Sequence, residues 1–154
     1  MGADAVPDLS GLVSLAEFEA LARARLAPSA LDYVAGGSWD EVTLADNQAA
    51  FRRRRFRATV LSGVQAADLS TTILGRPAAT PLGVAPMAQF GFCHPAAEGP
   101  AARAARAAGW TFALSTLSTL SLEQVAAAAA AVEGAGRRWF QLYVQKDLGL
   151  RDRK

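Results

Sequence analysis

The sequence is short of the residues from which most self-contained catalytic sites are made: it has one cysteine and one histidine in 154 residues. A single cysteine, Cys93, forbids an internal disulfide, which suits a reducing compartment. It reads as a small buried apolar side chain rather than a reactive thiol. With His94 alone, neither a two-histidine metal site nor a Cys/His cluster of ligand spacing can be assembled. Its place before Pro95 suits a cap or packing role in the first turn of a helix. The carboxylates Asp40 and Glu41 are neighbours, hence on different sides of a helix, which does not suit paired acid/base work. Metal-assisted and hydrolytic chemistry are therefore disfavoured.

Long apolar runs are lacking as well. The alanine stretches Ala101 to Ala108 and Ala126 to Ala131 are short and bounded or broken by charge or glycine, so a soluble chain without a membrane span is expected. Met1 to Ser10 is weakly acidic and has no basic region followed by an apolar one, so a cytoplasmic location follows by default. Charge of one sign is missing: 16 basic residues against 14 acidic give +2, which argues for no nucleic-acid partner. Arg52 to Arg55, between Phe51 and Phe56, is read as a solvated helix end, where cations are favoured by the dipole. Neither a Walker-type loop nor G-x-G-x-x-G occurs; Gly134-Ala135-Gly136 precedes a strand and is a helix-to-strand turn.

What is present is an ordered alternation. Leu15, Phe18, Leu21, Ala22 and Leu26 fall at helical spacing over Leu15 to Ala27, with Ser14 and Glu17 as a capping box and Pro28 as the stop. A second helix is expected over Ser29 to Val34, closed by a left-handed glycine at Gly36-Gly37, and a third from Asp40 to about Phe51. Between Phe56 and Leu82, Thr59-Val60-Leu61 and Thr71 to Leu74 favour strands, with a turn at Gly75-Arg76-Pro77, so a short hairpin or lid is predicted. Then come an apolar strand (Pro81 to Pro86), a helix (Pro95 to Ala108) and a second strand (Trp110 to Ser115). A helix capped by Ser121 and a third strand (Trp139 to Val144) complete the series. Such alternation predicts an α/β fold with a parallel sheet. Residues 1–80 form a helical segment with a hairpin lid, and 81–154 the βα series. Arg151 to Lys154 read as the first turn of a further helix.

In α/β proteins the carboxyl ends of the strands carry the ligand contacts. Here these are Ala85-Pro86-Met87-Ala88, Leu114-Ser115-Thr116 and Gln141-Leu142-Tyr143. A backbone turn, a hydroxyl, an amide and a phenol there can converge on a flat polar heterocycle. Equally, Ser and Gln can merely finish strands.

Several separated motifs occur together and in order: Leu31-Asp32-Tyr33-Val34-Ala35-Gly36-Gly37-Ser38, Asp40 to Asn47, Asp68-Leu69-Ser70-Thr71, Pro81 to Ala88, His94-Pro95, Leu114-Ser115-Thr116 and Phe140-Gln141-Leu142-Tyr143. Over Leu15 to Asp147 the chain resembles the N-terminal part of the FMN-dependent α-hydroxy acid oxidases and dehydrogenases. The resemblance implies a TIM barrel preceded by helices and a hairpin, here its first three βα units, with FMN across the carboxyl ends of the strands. It implies that Pro86, Met87 and Ala88 line the flavin, that Ser115 hydrogen-bonds it, and that Gln141 contacts its pyrimidine edge. Tyr33 and Tyr143 match the two tyrosines that hold a small 2-hydroxy acid substrate.

The chain departs from the family pattern after His94-Pro95, where the usual acidic and glycine positions are Ala96-Ala97-Glu98, and at Gly91-Phe92-Cys93, where more polar residues are common. The family's catalytic histidine, carboxylate-binding arginines, flavin-side lysine and phosphate loops are expected beyond Lys154, and His94 does not match the catalytic histidine's motif. The resemblance therefore implies an oxidoreductase fragment, its parent oxidising 2-hydroxy acids to 2-oxo acids as a homo-oligomer. The competing expectations are an inactive truncated product or a small α/β interaction module without cofactor.

Overall fold

The computed structural model describes residues 8–144 and 146; the helical turn expected at Arg151 to Lys154 lies outside the described residues. The chain divides into two compact units, Met1–Ala58 and Thr59–Lys154.

The first unit holds helices α1 (Leu15–Arg23), α2 (Pro28–Ala35) and α3 (Val42–Arg52). At the head of α1 the Glu17 carboxylate accepts from Val13 N at 2.6 Å and Ser14 N at 2.9 Å, satisfying amides that the helix itself leaves without partners. The amide of Val13 first, then that of Ser14, holds the Glu17 carboxyl below its usual range. A depressed carboxylate stabilises the fold above its unfolded value, and the contribution is lost as pH falls through the folded value. The start of α1 is therefore expected to fray as the pH falls below the ordinary glutamate range. Amide exchange at Val13 and Ser14 checks this, and the pH dependence should vanish in Glu17→Gln.

Two boundaries in this unit differ from the sequence expectation. Helix α1 stops at Arg23 rather than Ala27, because the residue before a proline is steered out of the helical region, and Ala27 is extended at φ −60°, ψ 144°. Pro28 instead opens α2, where its missing N–H costs nothing. Gly36 is not left-handed either: it sits at φ −78°, ψ 156°. Glycine is needed there for space, since a Cβ at Gly36 would lie 2.8 Å from Asp32 O and one at Gly37 3.1 Å from Leu44 Cβ. Asp40 and Glu41 precede α3 rather than opening it; Glu41 has φ 56° and its Oε1 accepts from Gly37 N at 2.9 Å. The arginine run closes α3, with Arg53 on Asp46 at 2.8 and 3.2 Å. Both partners are exposed, so the pair contributes under about 1 kcal/mol.

The second unit opens with an antiparallel hairpin, β1 (Thr71–Ile73) and β2 (Arg76–Ala78). Its loop is Leu74-Gly75, both at positive φ (49° and 72°), as a two-residue type I′ turn requires. The turn thus lies one step before the expected Gly75-Arg76-Pro77. Thr59-Val60-Leu61 forms no strand; it is a turn with Leu61 at φ 55°.

The βα series follows as β3 (Gly83–Val84), α4 (Gly99–Ala107), β4 (Thr111–Leu114), α5 (Leu122–Ala130) and β5 (Arg138–Phe140). The strands form one parallel sheet in the order β3-β4-β5, with Val84 opposite Phe112 and Leu114 opposite Phe140. Helix α4 starts later than Pro95 because turns occupy Pro95 to Glu98, with Ala97 at φ 47°. His94 therefore lies ahead of the helix rather than in its first turn, and its Nδ1 accepts from Ala96 N at 3.0 Å within the turn that follows. Cys93 is exposed, contrary to the buried reading, because it ends a surface 3-10 turn over Phe90–Phe92. Ser121 caps α5, with Gln124 N on Ser121 Oγ at 3.3 Å and Ser121 N on Gln124 Oε1 at 2.9 Å.

The core of this unit lies between the two helices and one face of the sheet. Ala102 and Ala105 of α4, Phe112 and Leu114 of β4, and Val125 and Ala129 of α5 are buried together. The alternation along β4 sends Phe112 and Leu114 to the helices and leaves Thr111 and Ala113 half-buried on the other face. The alanines let α4 and α5 approach the sheet closely. That packing aims the carboxyl ends of β3, β4 and β5 in one direction.

Candidate cofactor platform at the strand ends

Directly after β4, Ser115 and Thr116 are buried, 4% and 6% exposed. Ser115 Oγ accepts from Leu117 N at 3.1 Å and donates to Gln141 Oε1 at 3.3 Å, which brings together two of the positions singled out in the sequence. Thr116 Oγ1 donates to Gln141 O and accepts from Tyr143 N at 3.0 Å. The loop after β3 joins the same lattice, Gln89 N donating to Leu117 O at 3.0 Å and Gly91 N to Thr119 Oγ1 at 2.9 Å. Three strand ends are thereby tied into one polar surface. Hydroxyl-to-backbone bonds of this kind fix side chains that would otherwise sample several rotamers.

Around this lattice, Pro86 and Met87 are exposed, Ala88 and Gln141 half-buried, and Tyr143 is 49% exposed. The Gln141 amide nitrogen makes no hydrogen bond among the described residues, so it is a donor directed by a fixed oxygen partner. Such a set fits a planar heterocycle with alternating acceptors and donors: a hydroxyl and an amide in register, an apolar turn beside them, and a half-exposed phenol. Tyr33 lies on α2 in the first unit, 55% exposed. Among the described residues no group of three His, Cys, Asp or Glu side chains is placed to hold a metal. No helix there is long and apolar enough to cross a membrane.

Glu98, which the sequence marks only as a departure from the family pattern, has a structural role. It is completely buried, and its carboxylate accepts from Thr119 N at 2.8 Å and Leu120 N at 3.0 Å. It thereby holds the loop between β4 and α5, whose first residues carry the platform's hydroxyls. The only signal available was an acidic residue set among small apolar ones, Ala96-Ala97-Glu98-Gly99. Thr119 was likewise legible only once the loops were in place, with its Oγ1 accepting from Gly91 N.

Comparisons with known proteins bear on the same residues. The family model described as FMN-dependent dehydrogenase matches residues 22–153. The chain is 42% identical over 142 residues to an L-lactate oxidase of a Nostoc species, covering 92% of this chain and 39% of that protein. It is 43% identical over 136 residues to glycolate oxidase of Spinacia oleracea, covering 88% of this chain and 36% of the relative. Among solved structures, the recombinant flavin-binding domain of baker's yeast flavocytochrome b2 superposes with a TM-score of 0.85 at 32% identity, covering 96% of this chain and 38% of that one. The chain thus spans under two fifths of the length of these relatives, and its α/β arrangement matches part of the fold of flavoenzymes. With the model match running through both units and the strand-end motifs inside it, the chain belongs to the FMN-dependent dehydrogenase family.

Proposed function

We propose that this chain is the amino-terminal part of an FMN-dependent oxidoreductase that converts a small 2-hydroxy acid to the 2-oxo acid, its three parallel strands being the first three of an eight-stranded barrel. In this reading residues 1–80 are the helical and hairpin segment ahead of the barrel, and 81–154 its first part. The observation that carries the reading is the lattice linking Ser115, Thr116, Gln141 and Tyr143 at the strand ends, inside a chain of this family. Large apolar side chains that stand fully exposed here, Trp39, Phe56 and Leu61 among them, support a larger parent protein. So does a parallel sheet with helices on one face, since such sheets are covered on both.

When bound, FMN supplies a two-electron acceptor for the hydride equivalent leaving the substrate's α-carbon. The chain's part is positioning. Ser115 and Gln141 hold the ring's polar edge, while Pro86, Met87 and Ala88 give it a shaped wall and exclude water. Tyr143 hydrogen-bonds the carboxylate or hydroxyl of the substrate, which orients its α-hydrogen; Tyr33 carries the family's motif for the other substrate tyrosine. His94 takes no proton from substrate in this scheme; its Nδ1 is engaged by Ala96 N. The 154-residue chain alone is expected to show no measurable 2-hydroxy acid oxidation in a dye-reduction assay.

Titration of FMN into the chain, followed by flavin fluorescence quenching, tests the platform. Saturable binding is expected, weakened about tenfold by Ser115→Ala and again by Gln141→Leu, the usual scale for losing one hydrogen bond. Absence of binding, or binding indifferent to both replacements, would remove the platform assignment while leaving family membership intact.

A further inference from the structure

Toward the amino ends of β4 and β5 in the same sheet lies a second groove, apart from the strand-end platform. It has a volume of about 540 Å³ and is lined by Ile73 and Arg76 of the hairpin, Arg106 near the end of α4, and Arg137, Arg138 and Trp139 at the start of β5. The strand-end platform sits at the carboxyl ends of β4 and β5, so the two sites are separated by the length of the sheet. No acidic side chain is among the residues that line the groove. Among the described residues none of its four arginines is in an ion pair, whereas arginines of the first unit, Arg23 and Arg53, are each paired. Arg106 is fixed by its Nε on Val132 O at 2.8 Å, and among the described residues no side-chain hydrogen bond occupies the guanidinium groups of Arg76, Arg137 or Arg138.

Four like charges gathered without compensation repel one another, and that arrangement is relieved by an anion of matching charge. Guanidinium groups prefer planar oxyanions and bind phosphate in bidentate fashion. The groove's volume is within the range of small-molecule sites, about 300 to 1,000 Å³, and is larger than a single phosphate needs. Trp139, 42% exposed, adds a flat apolar face at its wall. The sequence could not show this cluster, because Arg76, Arg106 and Arg137 are far apart in the chain and are gathered by the hairpin and the βα crossovers.

We propose that this groove binds a small molecule carrying two or more phosphate groups. The probes are inorganic pyrophosphate and ATP, titrated calorimetrically into the full chain at low ionic strength. One equivalent is expected to bind, about tenfold or more weaker in Arg137→Gln/Arg138→Gln and similarly weaker in Arg76→Gln. Arg103→Gln, on α4 but outside the groove, should leave binding unchanged. The double variant Arg137→Lys/Arg138→Lys keeps the charge and should retain part of the affinity, and circular dichroism of each variant separates lost binding from lost folding. ATP binding more tightly than pyrophosphate, with the difference abolished in Trp139→Ala, would identify a nucleotide; equal affinities would identify the oligophosphate alone. No binding of either probe at millimolar concentration overturns the proposal, as does binding indifferent to the glutamine variants. Tighter binding of an acidic peptide or an oligonucleotide through the same arginines would also overturn it, in favour of a macromolecular partner.

Discussion

Replacing Glu98 by alanine is expected to destabilise the second unit by about 3 kcal/mol, the sum of two lost backbone hydrogen bonds and a cavity. The carboxylate is wholly buried, and each oxygen holds one amide, Thr119 N and Leu120 N. Alanine takes the acceptor from both amides, which are part-buried, at about 1 kcal/mol or more each, and opens a void where the carboxylate was. Glutamine separates the contributions. It keeps one acceptor but turns an N–H₂ group toward the second amide, so a loss of about 2 kcal/mol is expected. The loop that Glu98 ties down carries Ser115 to Thr119, so flavin affinity should fall in parallel with stability. Urea unfolding followed by circular dichroism measures the first effect and FMN titration the second. If Glu98→Ala unfolded at the same urea concentration as the parent chain, the buried carboxylate would have no structural role.

The elements that were legible in the sequence are those set by local chemistry. Capping at Ser14 and Ser121, the apolar runs of β3 and β4, and the helical spacing of α5 each follow from near neighbours, and each is found where the residues place it. The βα alternation named the strand ends, and the structure brings Ser115 and Gln141 within hydrogen-bonding distance of each other. The departures are positions where a distant residue or a turn decides. Gly36 is glycine because Asp32 O crowds it, not because its φ is positive. Cys93 is exposed because a 3-10 turn carries it to the surface, which no composition rule foresees. Glu98 and the arginine groove needed the folded chain, since their partners lie 21 and more residues away or on other elements. Net charge near zero concealed a local excess of four arginines.

The turn Gly134-Ala135-Gly136 was read as a connection from helix to strand, and the structure gives it a stricter duty. It runs directly over the end of α4: a Cβ at Gly134 would stand 2.1 Å from Arg106 O, and one at Gly136 2.5 Å from Arg106 Cα and 2.7 Å from Trp110 O. These are backbone atoms, so no rotamer change relieves them. Gly134 is in addition at φ 146°, a conformation that side-chain-bearing residues rarely adopt. Gly134→Ala is therefore expected to cost more than about 4 kcal/mol, a loss comparable with the whole stability of a small domain. Gly136→Ala, which has the clash without the positive φ, should cost about 3 kcal/mol, the upper end for overpacking. Gly75→Ala supplies the contrast. Gly75 has φ 72° but nothing within 4 Å of its Cβ position, so only the conformational term remains, about 1 kcal/mol. Chemical unfolding of the three variants, with soluble yield where a variant does not fold, should give the order Gly134→Ala, Gly136→Ala, Gly75→Ala. Should Gly75→Ala prove as damaging as Gly134→Ala, close backbone approach would not be what this turn requires. If the order holds, β5 is positioned by the contact of this turn with α4, and with it Gln141 at one end of the strand and Arg138 at the other.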